Sequence, residues 1–265
     1  MSTVDVANII DGFKFFVLIT FRVSGMVLIA PFFAHRAVPP KVRAGLVLAL
    51  AAVMFPTVDR VGIRIPDNMG GYLSAAVAEI AVGALIGFAA LVVFAAVRLG
   101  GFIAGQQIGL AIAHIYDPTS GQQTSLLSQT LYMLGFVVFV LVGGHHMLLR
   151  ALAASYEAIP ISRAHLTEGV FTKIGVGMFS EMFVNAVRIT APAVITLMLA
   201  TIVMAIVART VPEMNIFNIG FAMRLGLGLT VMALAAPALG WIFQRLFERL
   251  SVNIEFLINA MKPAA

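Results

Sequence analysis

The chain has 265 residues, 61% of them hydrophobic and only 11% charged, with 17 Lys and Arg against 12 Asp and Glu for a formal net charge of +5. A soluble domain carries roughly 25% charged residues, so this composition excludes a water-solvated globule, and its hydrophobicity excludes disorder. The basic residues are scattered, which excludes a nucleic-acid binder, and the lack of cysteine excludes disulfides, thiolate metal sites and a thiol nucleophile.

Crossing a hydrocarbon layer ~30 Å thick takes about 20 apolar residues in a helix, and six candidate spans follow in chain order. The first covers about 13–34, apolar apart from Lys14 and Arg22. Asp5 and Asp11 precede it where a cleaved signal would carry basic residues, so a retained anchor is expected. Val38-Pro39-Pro40 separates it from a second span at about 42–59, and Pro56 and Pro66 bracket the next connection. The third span is expected at about 71–98, the fourth at 126–150, the fifth at 178–208 and the sixth at 216–246. Pro31, Pro192 and Pro237 fall inside apolar stretches and predict kinks, which a bundle tolerates where neighbours satisfy the freed carbonyls. The expectation is an all-α, multi-helix integral membrane protein with kinked helices, a single domain over 1–265. Orientation does not follow from charge. Six spans would leave six basic residues on one side and nine on the other, with the densest cluster on the side of the smaller count.

Three charges lie within or close to these spans: Arg22, Glu79 and Arg188. A charge at mid-bilayer costs roughly 2.5–3.5 kcal/mol on insertion scales, so such residues usually face a bundle interior, a partner or a water path. The alternative is an interfacial position with the head group reaching water. Arg22, with apolar sequence on both sides, is expected to face protein. Glu79 fits either reading. Arg188, four residues before Pro192, is placed to bond carbonyls released by a kink.

Glycine is frequent, at 23 residues. Gly83 and Gly87 form one pair at spacing four, and Gly101, Gly105 and Gly109 form a ladder at the same spacing; both let backbones approach on one helix face. The ladder runs into a polar stretch through Gln106, Gln107, His114, Asp117, Pro118, Gly121 and Gln122. From about 100 to 124 the chain is neither apolar enough to span nor charged enough for a solvated loop. Connections this long without structure of their own are often functional, and irregular backbone at membrane depth survives only inside protein or beside an aqueous cavity. A re-entrant, pore-directed loop is the functional reading, and an interfacial loop the plainer one.

Nothing in the sequence supports an enzyme or a resident cofactor. His145 and His146 are adjacent and lack the i, i+4 spacing of a metal pair, no serine sits in a Gly-x-Ser-x-Gly elbow, and no carboxylate pair lies at helical spacing within a span. A small-solute secondary transporter remains as an alternative, although the two halves show neither matching broken helices nor a cluster of carboxylates for ion coupling.

Several segments resemble the FliR family of flagellar type III export-gate proteins. These are Phe21-Arg22-Val23-Ser24-Gly25, Ala30-Pro31-Phe32-Phe33, Val38-Pro39-Pro40-Lys41-Val42-Arg43, and the stretch from Glu79 through Gly83 to Phe88. Gly105-Gln106-Gln107-Ile108-Gly109-Leu110 with Asp117-Pro118, Gly143-Gly144-His145 with Ser155 and Ile159-Pro160, and the run from Val211 to Phe221 complete the match. The resemblance implies a subunit of a helical export gate in the bacterial inner membrane, at the flagellar basal body. It implies FliP and FliQ as partners, FlhA and FlhB nearby, and unfolded flagellar proteins as the cargo. The virulence-type secretion homologues share the architecture and form the alternative membership. Carried onto this chain, the family's pore plug falls on Gly105, Gln106, Gln107, Ile108, Gly109, Leu110, Ile112, Ile115, Asp117, Pro118, Gly121 and Gln122, with the isoleucines and leucine excluding water and the glutamines satisfying backbone groups. Pro212, Asn215, Phe217 and Gly220 read as an assembly contact or, more plainly, as a tight turn.

Overall fold

The computed structural model describes residues 3–35, 37–59, 66, 68–110, 125–164, 168–210 and 216–262. Every regular element among them is helical: α1 (Thr3–Ile29), α2 (Pro40–Met54), α3 (Met69–Ile108), α4 (Leu126–Leu141), α5 (Gly144–Ala158), α6 (Glu168–Thr172), a π-helical segment (Lys173–Met178), α7 (Phe179–Thr210) and α8 (Ile216–Ala260). The chain divides into two compact units. The first comprises Met1–Val92, Gly143–Met178 and Glu248–Ala265, and the second Val93–Val142 and Phe179–Phe247.

In the first unit the core is α1, through Leu18, Ile19, Val23, Met26 and Val27, together with Val82, Ile86 and Ala90 of α3 and Leu148 and Leu152 of α5, all buried. Phe55, just past α2, packs on α1 through Phe15 and Phe16, with ring centroids 6.2 and 5.7 Å apart. In the second unit an aromatic cluster forms the centre. Phe94 of α3 meets Tyr132, Phe139 and Phe247 at 5.5, 5.4 and 5.3 Å, and Phe139 meets Phe247 edge-on at 5.1 Å, the tilted and edge-to-face geometries that ring quadrupoles favour.

Among the described residues four helical stretches are long and apolar enough to cross a membrane: Ile9–Ile29, Met69–Ile108, Gly169–Thr210 and Asn218–Ala260. The pair α4 and α5, bent by 62°, makes a fifth if taken as one broken span. The chain is therefore an all-α membrane protein, as its composition requires, but several expected elements are corrected. The second expected span is only the 15 residues of α2, ~22 Å long at 1.5 Å per residue, too short to cross unaided. It begins at Pro40, where the missing N–H is no loss because the first turn has no partner for it. Pro31 does not kink the first helix, which ends at Ile29 in a turn; the proline disfavours helical geometry in Ala30 before it. The fourth expected helix is broken in two at Gly143, whose left-handed backbone (φ 74°) no other residue type adopts as cheaply. The fifth begins ten residues earlier than expected and includes the π-helical segment. The sixth runs on to Ala260 instead of ending near 246; charges at Arg245, Glu248, Arg249 and Glu255 read as the end of a span, but they lie beside a buried stripe of Phe243, Phe247, Leu250, Ile254 and Leu257.

Candidate functional site

The first unit is organised around a buried ion pair. Arg22 of α1 and Glu79 of α3 are both fully buried, and the Arg22 Nε donates to the Glu79 Oε2 at 2.5 Å. The rest of the guanidinium is spent on the end of α5. Its Nη1 donates to the Ser155 carbonyl at 2.8 Å and to the Ser155 Oγ at 3.2 Å, and its Nη2 donates to the Ile159 carbonyl at 3.0 Å. The sequence brings these acceptors here because α5 must stop: Pro160 makes the preceding Ile159 extended (φ −129°, ψ 92°). The Ser155 carbonyl also accepts the Ile159 N–H at 2.9 Å, so the guanidinium shares that acceptor and adds the Ile159 carbonyl beyond the last turn, both at the negative end of the helix dipole.

Glu79 closes the other side of the same turn. Its Oε1 accepts the Ser162 N–H at 3.0 Å, and Ser162 holds a left-handed backbone (φ 69°). The Tyr156 ring lies 4.4 Å from the Arg22 guanidinium, and its hydroxyl donates to the Ile19 carbonyl at 3.1 Å. One arginine and one glutamate thus tie α1, α3, the end of α5 and the turn behind it into one buried polar network.

The crossing of α1 and α3 beside this network has no room for side chains. A Cβ on Gly83 would run into the Arg22 carbonyl, and one on Gly87 would lie 2.8 Å from the Met26 carbonyl oxygen; from the other helix, a Cβ on Gly25 would meet the backbone of Ile80 and Ala84. The glycine pair at spacing four is used as the small-residue pattern predicts, and Arg22 is drawn against α3 at the same contact.

The ladder in the second unit is also used, but on a helix rather than in a loop. Residues 100–108 are the last turns of α3, which corrects the expectation that irregular chain begins near 100. A Cβ on Gly100 would press on Ile189 of α7, one on Gly101 on the backbone of Ser128, and one on Gly105 on the Ser125 Oγ. The Ser128 Oγ donates to the Arg98 carbonyl at 2.9 Å, and the Arg98 guanidinium lies 4.0 Å from the Tyr132 ring centroid. Gly109 (φ 92°) ends the helix: its N–H bonds the Gln106 carbonyl at 3.1 Å, and the Leu110 N–H bonds the Gly105 carbonyl at 3.0 Å, the paired closure of a Schellman motif. Ile108 is fully buried against Gly228 of α8, and Phe221 of α8 lies over Gly109, 3.5 Å from a Cβ placed there.

Of the expected plug residues, Gly105, Gln106, Gln107 and Ile108 therefore lie on α3, with both glutamines exposed, and Gly109 and Leu110 close it. Ile112, Ile115, Asp117, Pro118, Gly121 and Gln122 lie outside the described residues, as do Pro212 and Asn215 and the side chain of Phe217. Gly220 faces Met204 of α7, whose Cε is 3.8 Å from a Cβ built there. Arg22 and Glu79 are brought together, whereas Arg188 is exposed on α7. Tyr156 and Ser162 are the participants that sequence reasoning missed. The signal for them was the helix-ending Ile159-Pro160 within reach of a buried cation. The His145 and His146 rings lie 4.1 Å apart at a tilt of 41°, and Phe32 stacks on His145 at 5.4 Å. Among the described residues no three His, Asp or Glu side chains gather as a metal site.

The chain as a whole matches a known set of sequences. The profile described as "Bacterial export proteins, family 1" matches residues 13–250. The flagellar biosynthetic protein FliR of Bacillus subtilis (strain 168) is 30% identical over 257 residues, covering 96% of this chain and 97% of that protein. FliR of Escherichia coli (strain K12) is 29% identical over 232 residues, with 86% and 87% covered, and FliR of Caulobacter vibrioides is 24% identical over 233 residues, with 88% and 92% covered. The chain belongs to the bacterial export proteins, family 1, as a member of the FliR family.

Proposed function

We propose that this protein is a structural, non-enzymatic subunit of the flagellar type III export gate in the bacterial inner membrane, at the basal body. In this reading it joins FliP and FliQ, with FlhA and FlhB nearby, around a channel for unfolded flagellar proteins, and the segment after α3 stoppers that channel at rest. The flagellar membership is supported by the relatives, which are named as flagellar biosynthetic proteins. The observation that carries the subunit reading is uncovered apolar surface. In the most apolar window of Gly169–Thr210 and of Asn218–Ala260 only 17% is buried within the chain, against 56% for Met69–Ile108. Helices apolar on every side are covered by lipid or by other helices, and two such helices in one chain fit a piece of a larger bundle.

The glycine closure at Gly109 and the Gly105–Ser125 contact support the stopper reading, because they give the intervening segment firm roots on two helices. The test is a deletion of residues 111–123 that leaves Gly109 and Ser125 in place. Bacteria carrying it are expected to leak small ions through the inner membrane, measured as a collapse of membrane potential that depends on the co-expressed gate proteins. An unchanged membrane potential would defeat the stopper.

A further inference from the structure

We propose that the face of α7 carrying Val184, Val187, Arg188, Ile195 and Ile202 receives a helix from another membrane subunit, and that a carboxylate on that helix pairs with Arg188. The inference rests on the reading that this chain is one subunit of a larger assembly, and it names the chemistry of one of its contacts.

The burial pattern of α7 comes first. Ala186, Ile189, Thr190, Ala193, Leu197 and Ala200 are buried, a stripe of small and medium side chains at spacings of one to four. The opposite side is apolar and open, with Val187, Ile195 and Ile202 all more than half exposed. In the middle of that open side stands Arg188, exposed and without a hydrogen bond or ion pair among the described residues. A second polar group sits at the same level: Pro192, four residues on, has no N–H to give to the Arg188 carbonyl.

Lipid alone does not suit this face. Residues 189–208 are twenty charge-free positions, about the thickness of the hydrocarbon. If they fill it, Arg188 lies at the head groups, and the stretch carrying Phe183, Val184 and Val187 emerges with its apolar side chains uncovered. If the helix sits deeper, Arg188 lies in hydrocarbon without a counter-charge. Either placement leaves Arg188 amid exposed apolar side chains with no counter-charge from the described residues of its own chain, a surface that a partner apolar on both sides of a negative group complements. A carboxylate flanked by aliphatic side chains on one helix supplies such a partner, and a guanidinium binds it bidentately.

The test uses the full chain with its sister membrane proteins, expressed in flagellated bacteria and extracted in mild detergent, with the yield of complex per chain read by native mass spectrometry. Arg188→Glu is expected to lower that yield roughly tenfold or more, while Arg188→Lys, which keeps the charge but loses the bidentate fork, is expected to lower it clearly less than Arg188→Glu. Arg188→Leu, compared at equal chain level in the membrane, is expected to fall between them. A Glu→Arg or Asp→Arg change in a co-purifying subunit is expected to restore the Arg188→Glu complex. Parent-like yield from Arg188→Glu would overturn the pairing. So would a defect that no such reversal repairs and that follows the anionic phospholipid content of the preparation, since the counter-charge would then be a lipid phosphate. A parent chain that emerges only as a monomer would instead overturn the assembly reading itself.

Discussion

Arg22 and Glu79 show how an apolar protein interior tolerates full charges: each is the other's counter-ion, and the donors and acceptors left over are spent on backbone groups of a helix end and a tight turn. Such a network is costly to half-remove. Arg22→Leu leaves the Glu79 carboxylate buried alone and uncaps α5, and it is expected to lose about 3–5 kcal/mol of stability, read as thermal unfolding in detergent and as lost swimming. Glu79→Gln keeps the shape but strands the guanidinium and is expected to cost a similar amount. The double variant Arg22→Met, Glu79→Leu is expected to be more stable than either single variant, because it strands no charge; equal or additive losses would show the pair to be incidental.

Helix crossings are where the sequence was most legible. The spacing of Gly83 and Gly87 pointed to a close approach, and α1 lies in that groove with its own Gly25 facing back. Gly83→Ala, which sets a methyl against the Arg22 carbonyl, is expected to cost about 1–3 kcal/mol. Gly12→Ala, which meets nothing within 4 Å on the same α1, is expected to gain up to about 1 kcal/mol from helix propensity. Paired melting curves check both. The ladder at 101–109 was legible as a packing face, but its segment was assigned to a connection because Gly100, Gly101, Gly105 and Gly109 weigh against helix on propensity; contacts with Ser125, Ser128 and Ile189 outweigh that deficit. The break at Gly143 was obscured for the opposite reason, since apolar sequence runs on through it. Arg22 was legible as protein-facing, but its partners Ser155, Tyr156 and Ile159 were not, because they lie more than 130 residues away.

At the scale of the whole molecule, composition announced a membrane protein, and the long helices bear it out, but the count of spans changed. With α2 too short to cross, the charge tally made for six crossings loses its premise, which explains why it gave no orientation. A FliR-family membrane protein with a role in flagellar export thus combines an α3 that is well packed along its middle with α7 and α8, whose most apolar windows are mostly left uncovered by the chain itself. Expressed without the partners proposed for it, the chain is expected to be degraded several-fold faster than with them, since open apolar faces invite proteolysis and aggregation. Pulse-chase labelling in the two backgrounds checks this, and equal half-lives would show that the faces need no cover but lipid.

The reach of the Arg22 network also sets a timetable for biogenesis. Glu79 follows Arg22 by 57 residues and Ser155 by 133. At 5–20 residues per second, the ribosome delivers the counter-ion roughly 3–11 s after the cation, and the α5 acceptor roughly 7–27 s after it. During that interval the first helix carries a guanidinium without its counter-ion, at a cost of roughly 2.5–3.5 kcal/mol if it lies at mid-bilayer. The first helix is therefore expected to enter the bilayer less efficiently when made alone than when α3 follows it, so that insertion is helped by the completion of the protein's own interior.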